Sequence, residues 1–243
     1  YTGVPGSGKT AFGLQLVRHL TNEEPNTHVV WTVHSNELCD DIASKLGQIT
    51  GSLVSVARIY PMRRMIQALA GRHASNITKS AKTSTLPRTA AGIATAIASH
   101  TRQRAHDDPT TRADSLVIRA LEIAEVSPRF ADIMQLRAKA VLTGNELSAL
   151  TGSIYRLIAT VLKTTNIIVG TPVALSQLGN CSQLVTNESR KWDADVIVVD
   201  EAARMPEAQA WIPIATFDTK LVVMMGDTRQ FEPVSKSFEN QGQ

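Results

Sequence analysis

A chain of 243 residues with 43% apolar and 19% charged side chains can bury the core of one large domain, or of one domain with an insertion, and is too apolar to be disordered throughout. No apolar run reaches the length of a membrane span, no signal peptide is visible, and two cysteines, Cys39 and Cys181, make neither a disulfide framework nor a metal spacing. The net charge of +3 is unevenly spread: residues 42–106 carry ten bases and no Asp or Glu, which leaves 15 bases against 22 acids, or −7, elsewhere.

The chain opens on Gly3-Val4-Pro5-Gly6-Ser7-Gly8-Lys9-Thr10, the pattern G-x-x-x-x-G-K-[ST] of a phosphate-binding P-loop. Glycines let the loop take positive φ and come close to an anion. Its N–H groups then form a nest for phosphate oxygens, at the positive end of the helix that follows. Lys9 is placed to reach the β- and γ-phosphates, and the Thr10 hydroxyl to bind Mg²⁺. A chance match in a chain of this length is on the order of one in a hundred. Phe12, Leu16, Val17 and Leu20 follow at helical spacing, which favours the P-loop over a Gly-rich turn. A strand is expected before such a loop, and the chain begins at Tyr1, so the sequence is expected to be a piece of a longer protein.

Residues 21–26 read as a turn, 28–33 as a buried strand, and Leu38, Ile42 and Leu46 as one face of a helix that Ser35 or Asn36 would cap. Residues 53–59 read as another strand. From Gly71 to about Pro109 the composition turns to Ala, Ser, Thr and bases, with a weak Ala-rich helix over Gly92–Ser99 and otherwise loop. Three helices are expected next: one with Leu116, Ile118, Leu121 and Ile123; one from Ser127-Pro128 through Leu142, broken by Gly144-Asn145; and one over Glu146–Lys163. Strands resume at 166–171, 195–199 and 221–225, each ending in small polar or acidic residues. Strand–helix–strand order favours a parallel sheet, whose ligands gather at the C-terminal ends of its strands. The division expected is 1–70 and 164–243 as one α/β domain, with 71–163 as a helical, basic insertion.

Asp200-Glu201 follows four apolar residues. A buried strand would fix the Asp200 carboxylate near Mg²⁺ and stand Glu201 beside the γ-phosphate to orient or deprotonate water. Gly226-Asp227-Thr228-Arg229-Gln230 follows the next strand, where a Gln can hydrogen-bond the γ-phosphate or hold the attacking water. Ser35-Asn36 and Gly170-Thr171 end two more strands in groups suited to a nucleic-acid backbone. The basic stretch points the same way, to a polyanion; the plainer reading of it is a solvated linker.

Taken in order, these residues resemble the first RecA-like domain of superfamily 1 helicases, and within them the 5′-to-3′ branch typified by the nonsense-mediated-decay RNA helicase. Gly3–Thr10 matches motif I, Ser35-Asn36 with Asp40 motif Ia, Asp200-Glu201-Ala202 with Glu207 motif II, and Gly226-Asp227 with Gln230, Pro233 and Val234 motif III. Val56-Ala57-Arg58 is similar to the strand that follows motif Ia in that branch. The resemblance implies a RecA-like P-loop fold, hydrolysis of ATP with Mg²⁺, and translocation along single-stranded RNA or DNA. It implies that Lys9 binds phosphate, Thr10 and Asp200 hold Mg²⁺, Glu201 is the base, Gln230 senses the γ-phosphate, and Ser35, Asn36 and Thr171 touch the strand. It also implies a second RecA-like domain that completes the cleft, so residues 1–243 alone are expected to turn over little ATP. His34, Arg204, Phe231 and Glu232 depart from the family's usual residues. An intracellular setting, nucleus or cytoplasm, fits the reduced cysteines. The competing reading is a P-loop ATPase switch that remodels a protein partner through residues 71–163.

Overall fold

In the computed structural model, which describes residues 2–4, 6–51, 54–81, 108–185, 192–227 and 229, five short strands make one sheet. They are β1 (Val29–Thr32), β2 (Val56–Arg58), β3 (Ile167–Gly170), β4 (Val196–Val199) and β5 (Leu221–Met224), in the order β2-β3-β1-β4-β5. Every pairing is parallel. β1, β3 and β4 are buried at each position, because helical crossovers cover a parallel sheet on both faces and leave no polar side to alternate with. Thr32 lies level with Gly170 on one side and Val199 on the other, so three central strands finish at one height. β5 is partly exposed at the edge. The outer edge of β2 is covered where the Arg58 N–H donates to the Asp114 carbonyl at 2.8 Å. This is the expected RecA-like α/β architecture.

Helix α1 (Lys9–Glu23) follows the P-loop directly, and α2 (Asn36–Ile49) joins β1 to β2. Ser35 caps α2, its hydroxyl accepting from the Leu38 N–H at 3.3 Å, while Cys39, Ile42, Ala43 and Leu46 turn into the core. Burial pushes the Cys39 thiol up to about 11, so it packs as a small apolar group.

Between β2 and β3 lie α3 (Met62–Ala70), α4 (Ala74–Ala81), α5 (Leu116–Val126), α6 (Ala131–Ala138) and α7 (Gly144–Lys163). α3 buries Met62, Met65, Ile66 and Leu69 and packs on α5 and α7. α8 (Pro172–Val185) follows β3, and α9 (Glu207–Thr216) follows β4 through a short 3₁₀ turn, Ala202–Arg204. No described helix is long and apolar enough to cross a membrane.

Several expectations need correction. Residues 71–81 were expected as loop, yet Gly71–His73 is a 3₁₀ turn leading into α4, because Ile77 is buried and the buried His73 ring hydrogen-bonds the Lys139 carbonyl at 3.0 Å. The helix expected to reach Leu142 stops at Ala138. Lys139 leaves it in extended conformation, its ammonium 2.5 Å from Glu146. Gly144-Asn145 does not break a helix but opens α7. Thr143 and Glu146 form a reciprocal capping box there, which satisfies N–H groups at the helix start. The weak helix expected over 92–99 lies outside the described residues.

Candidate active site

The P-loop turns on Gly6 and Gly8, at φ 76° and 77°, values an L side chain rarely adopts. Gly8 is also the N-cap of α1, whose first turn holds no acidic residue, so the positive helix end stays available to an anion. Lys9 is 6% exposed. Its ammonium lies inside the loop, donating to the Gly3 carbonyl at 2.7 Å and the Val4 carbonyl at 3.1 Å. The Gly3 N–H donates to the Gly226 carbonyl at 3.3 Å, which ties the loop to the end of β5. Gly226 has no room for a side chain: a Cβ there would stand 2.9 Å from the backbone nitrogen of Ala203.

One residue past β4, the Asp200 N–H donates to the Thr32 carbonyl at 2.9 Å, so the ladder itself fixes this carboxylate. Asp200 is 3% exposed. The Thr10 hydroxyl donates to its Oδ2 at 3.1 Å and the Glu201 N–H to its Oδ1 at 2.9 Å. Burial pushes the Asp200 carboxyl up and the Glu201 charge adds to that, while the Thr10 and Glu201 hydrogen bonds and the Lys9 charge pull it down. Oxygen donors from Thr10 and Asp200, 190 residues apart in sequence, meet beside the P-loop and suit a hard divalent cation.

Glu201 has φ 55° and ψ 36°. It is the one non-glycine residue at positive φ among the described residues. The turn is held by the Ala202 N–H on the Met225 carbonyl at 2.8 Å. A cavity of about 100 Å³ opens here, lined by Thr10, Asp200 and Glu201 and, from β1 and α2, by Val33, Leu38, Asp41, Ile42 and Lys45. Burial lowers the His34 imidazole, with the Arg204 charge acting in the same direction and the Glu201 charge opposing it.

Ser35 and Asn36 lie just past β1, and Thr171 just past β3. Since β1 and β3 are paired neighbours, these residues share one end of the sheet. The C-terminal edge thus runs from the P-loop beside β5, through Asp200 and Glu201 after β4, to Ser35-Asn36 after β1 and Thr171 after β3. Adjacent strands are about 5 Å apart, so the acid pair stands roughly one strand from the polar groups after β1.

Lys9, Thr10, Asp200 and Glu201 come together as the sequence suggests. Pro5 and Gln230 lie outside the described residues, as do Phe231, Glu232, Pro233, Val234 and the bases Lys82, Arg88, Arg102 and Arg104. Arg58, counted among the ten bases of the basic stretch, is fully buried and adds nothing to a surface. Its signal was its place at the end of an apolar strand. Asp227, part of the motif III match and given no role from it, is 4% exposed, and its Oδ1 accepts from the Arg229 N–H at 2.9 Å.

A family model described as an AAA domain matches residues 2–238. No curated protein sequence matches the chain.

Proposed function

The chain belongs to that AAA domain family, a P-loop domain of superfamily 1 helicases, and on this premise we propose that it hydrolyses ATP with Mg²⁺ in response to single-stranded nucleic acid. The observation that carries the reading is the hydrogen bond between Thr10 and Asp200 beside a P-loop whose lysine is already inside the loop. Phosphate oxygens would replace the Gly3 and Val4 carbonyls as acceptors for Lys9, with the loop N–H groups and the α1 terminus adding to the hold. Thr10 and Asp200 would hold Mg²⁺, which supplies charge to the β- and γ-phosphate oxygens. Glu201, one residue on and turned by its left-handed backbone, would orient the attacking water and take its proton. Gln230 is assigned to the γ-phosphate by its place after β5.

Ser35, Asn36 and Thr171 would touch the backbone of the strand. Their place on the sheet edge that also carries Glu201 supports coupling between strand binding and hydrolysis. Exposed Lys45, Arg63 and Arg72, with the other bases of residues 42–106 apart from buried Arg58, would add sequence-independent attraction. We assign residues 71–163 to an insertion within the domain, and 5′-to-3′ movement to the protein, from the resemblance of motifs I, Ia, II and III.

The test is steady-state ATP hydrolysis by the full-length protein. Single-stranded RNA or DNA should raise the rate several-fold, and Lys9→Ala should remove it. Hydrolysis that no polynucleotide alters would sink the nucleic-acid half of the proposal and leave a protein-remodelling switch.

A further inference from the structure

The side chain of Arg58 reaches from the end of β2 to the first turns of α2. Its Nε donates to Asp40 Oδ1 at 2.7 Å, its Nη1 donates to the Ile59 carbonyl, and its Nη2 donates to Asn36 Oδ1 at 2.9 Å. The Asn36 carbonyl accepts from the same Nη2 at 3.4 Å. The guanidinium is fully buried and lies 4.5 Å from the centre of the Tyr60 ring. Asn36 and Asp40 are four residues apart, hence on one face of α2, and one cation spans both.

A guanidinium has donors only. The amide atom of Asn36 that faces it must therefore be the oxygen. Half-exposed Asn36 then has its Nδ2 turned away from Arg58, with no partner among the described residues. The two Nδ2 hydrogens can only donate.

Asp40 is also met by the arm that leads into α5, whose Arg112 Nε lies 3.9 Å from the same Oδ1 that Arg58 holds. Arg112 pairs with Asp114 through Nε at 2.9 Å and Nη2 at 2.6 Å. It also donates from Nη2 to the Asp40 carbonyl at 3.0 Å and to Ser44 Oγ at 2.7 Å. Arg112 thereby braces the α2 face that Arg58 grips.

We propose that Arg58 is a positioning residue that fixes the Asn36 amide as a donor, so that this position takes an acceptor, a phosphate oxygen of a single strand, and rejects a donor. The inference rests on the nucleic-acid reading above and adds its chemistry. A neutral amide contributes a hydrogen bond without charge, so it sets the seat of the phosphate while lysines and arginines elsewhere set the salt dependence.

Binding of fluorescent oligo-U and oligo-dT by the full-length protein, titrated at several salt concentrations, tests it. Asn36→Ala should weaken binding about fivefold, the worth of one neutral hydrogen bond, with the salt slope unchanged. Asn36→Asp keeps the oxygen for Arg58 and places an acid at a helix start, where it is tolerated. It loses the donors and faces the phosphate with like charge, so it should bind worse than Asn36→Ala. Arg58→Lys can reach Asp40 but not both partners. It should weaken binding by a similar factor, and that factor should vanish when Asn36 is already Ala. If Arg58→Lys does not fold, the comparison of Asn36→Asp with Asn36→Ala, made with Arg58 intact, decides.

Asn36→Asp binding as tightly as wild type, or Arg58→Lys and Asn36→Ala effects that simply multiply, overturns the inference alone. A wild-type protein that binds neither oligomer overturns the nucleic-acid reading and this inference with it.

Discussion

Glu201 sits in a left-handed conformation that costs a non-glycine residue on the order of 1 kcal/mol. The turn is enforced from outside: the Asp200 carboxylate accepts the Glu201 N–H, and the Met225 carbonyl accepts the Ala202 N–H. Such strain is retained where the side chain it aims has work to do. Two substitutions separate backbone from side chain. Glu201→Gly and Glu201→Ala should both abolish hydrolysis. In urea unfolding, Glu201→Gly should be the more stable of the two by about 1 kcal/mol, although glycine is normally the worse choice through its larger unfolded-state entropy. The usual order, alanine above glycine, would show that the turn stores no strain. Nothing in Asp200-Glu201 as letters announces this conformation, since it depends on contacts with the end of β5. The same holds for Arg58. A base in a basic stretch reads as surface charge until the acceptors Asp40, Asn36 and Ile59 are brought around it.

At the scale of elements, α1 is pressed against the sheet at Gly13. A Cβ there would lie 2.6 Å from the Met225 methyl and 2.8 Å from the Trp31 ring. The methyl is the end of a flexible side chain and can give way. The ring is fully buried and cannot. Gly13→Ala would gain about 1 kcal/mol of helix propensity but incur an overpacking cost of about 1–3 kcal/mol. The expected net is a loss of about 1 kcal/mol in denaturant unfolding, with weaker nucleotide binding because α1 carries Lys9 and Thr10. Stability equal to or above wild type would mean that α1 can shift without cost.

This packing also explains which elements were legible. β1, β3 and β4 were found because a fully buried parallel strand is a continuous apolar run, and α2 because Leu38, Ile42 and Leu46 share a face with a serine ahead of them. α4 was misread because its Ala, Ser and Thr composition hides one buried anchor, Ile77. The start of α7 was misread because a capping box outweighs a Gly-Asn pair. α3, α8 and α9 went unassigned, although α3 repeats Met62, Met65, Ile66 and Leu69 at helical spacing behind Pro61. Lys9, Thr10, Asp200 and Glu201 were legible because the ligand proposed for them demands those residue types within a recognisable local pattern. The network around Arg58 was not, because it is set by tertiary contact.

In the whole molecule, the candidate site is also a join. Thr10 belongs to the first helix and Asp200 follows the fourth strand, and the P-loop is further tied to the chain beyond β5 through Gly3 and Gly226. A ligand that holds Lys9, Thr10 and Asp200 at once binds only when these distant segments are assembled, so it stabilises the folded state by mass action. At a hundred times its dissociation constant that gain is about 2.7 kcal/mol. A domain of this size should then melt several degrees higher, about 2–4 °C for each kcal/mol. Mg²⁺ with a non-hydrolysable ATP analogue should raise the melting temperature, and chelation of Mg²⁺ should remove much of the rise. Burial pushes the Asp200 carboxyl up, so its ionised form is held in the fold at a cost that a cation would relieve. Asp200→Asn removes that cost together with the anionic ligand. It should leave the ligand-free protein as stable as wild type or more so, and flatten the Mg²⁺-dependent part of the shift. Lys9→Ala should flatten the whole of it. A wild-type melting temperature indifferent to nucleotide and metal would show that these segments meet for structural reasons alone.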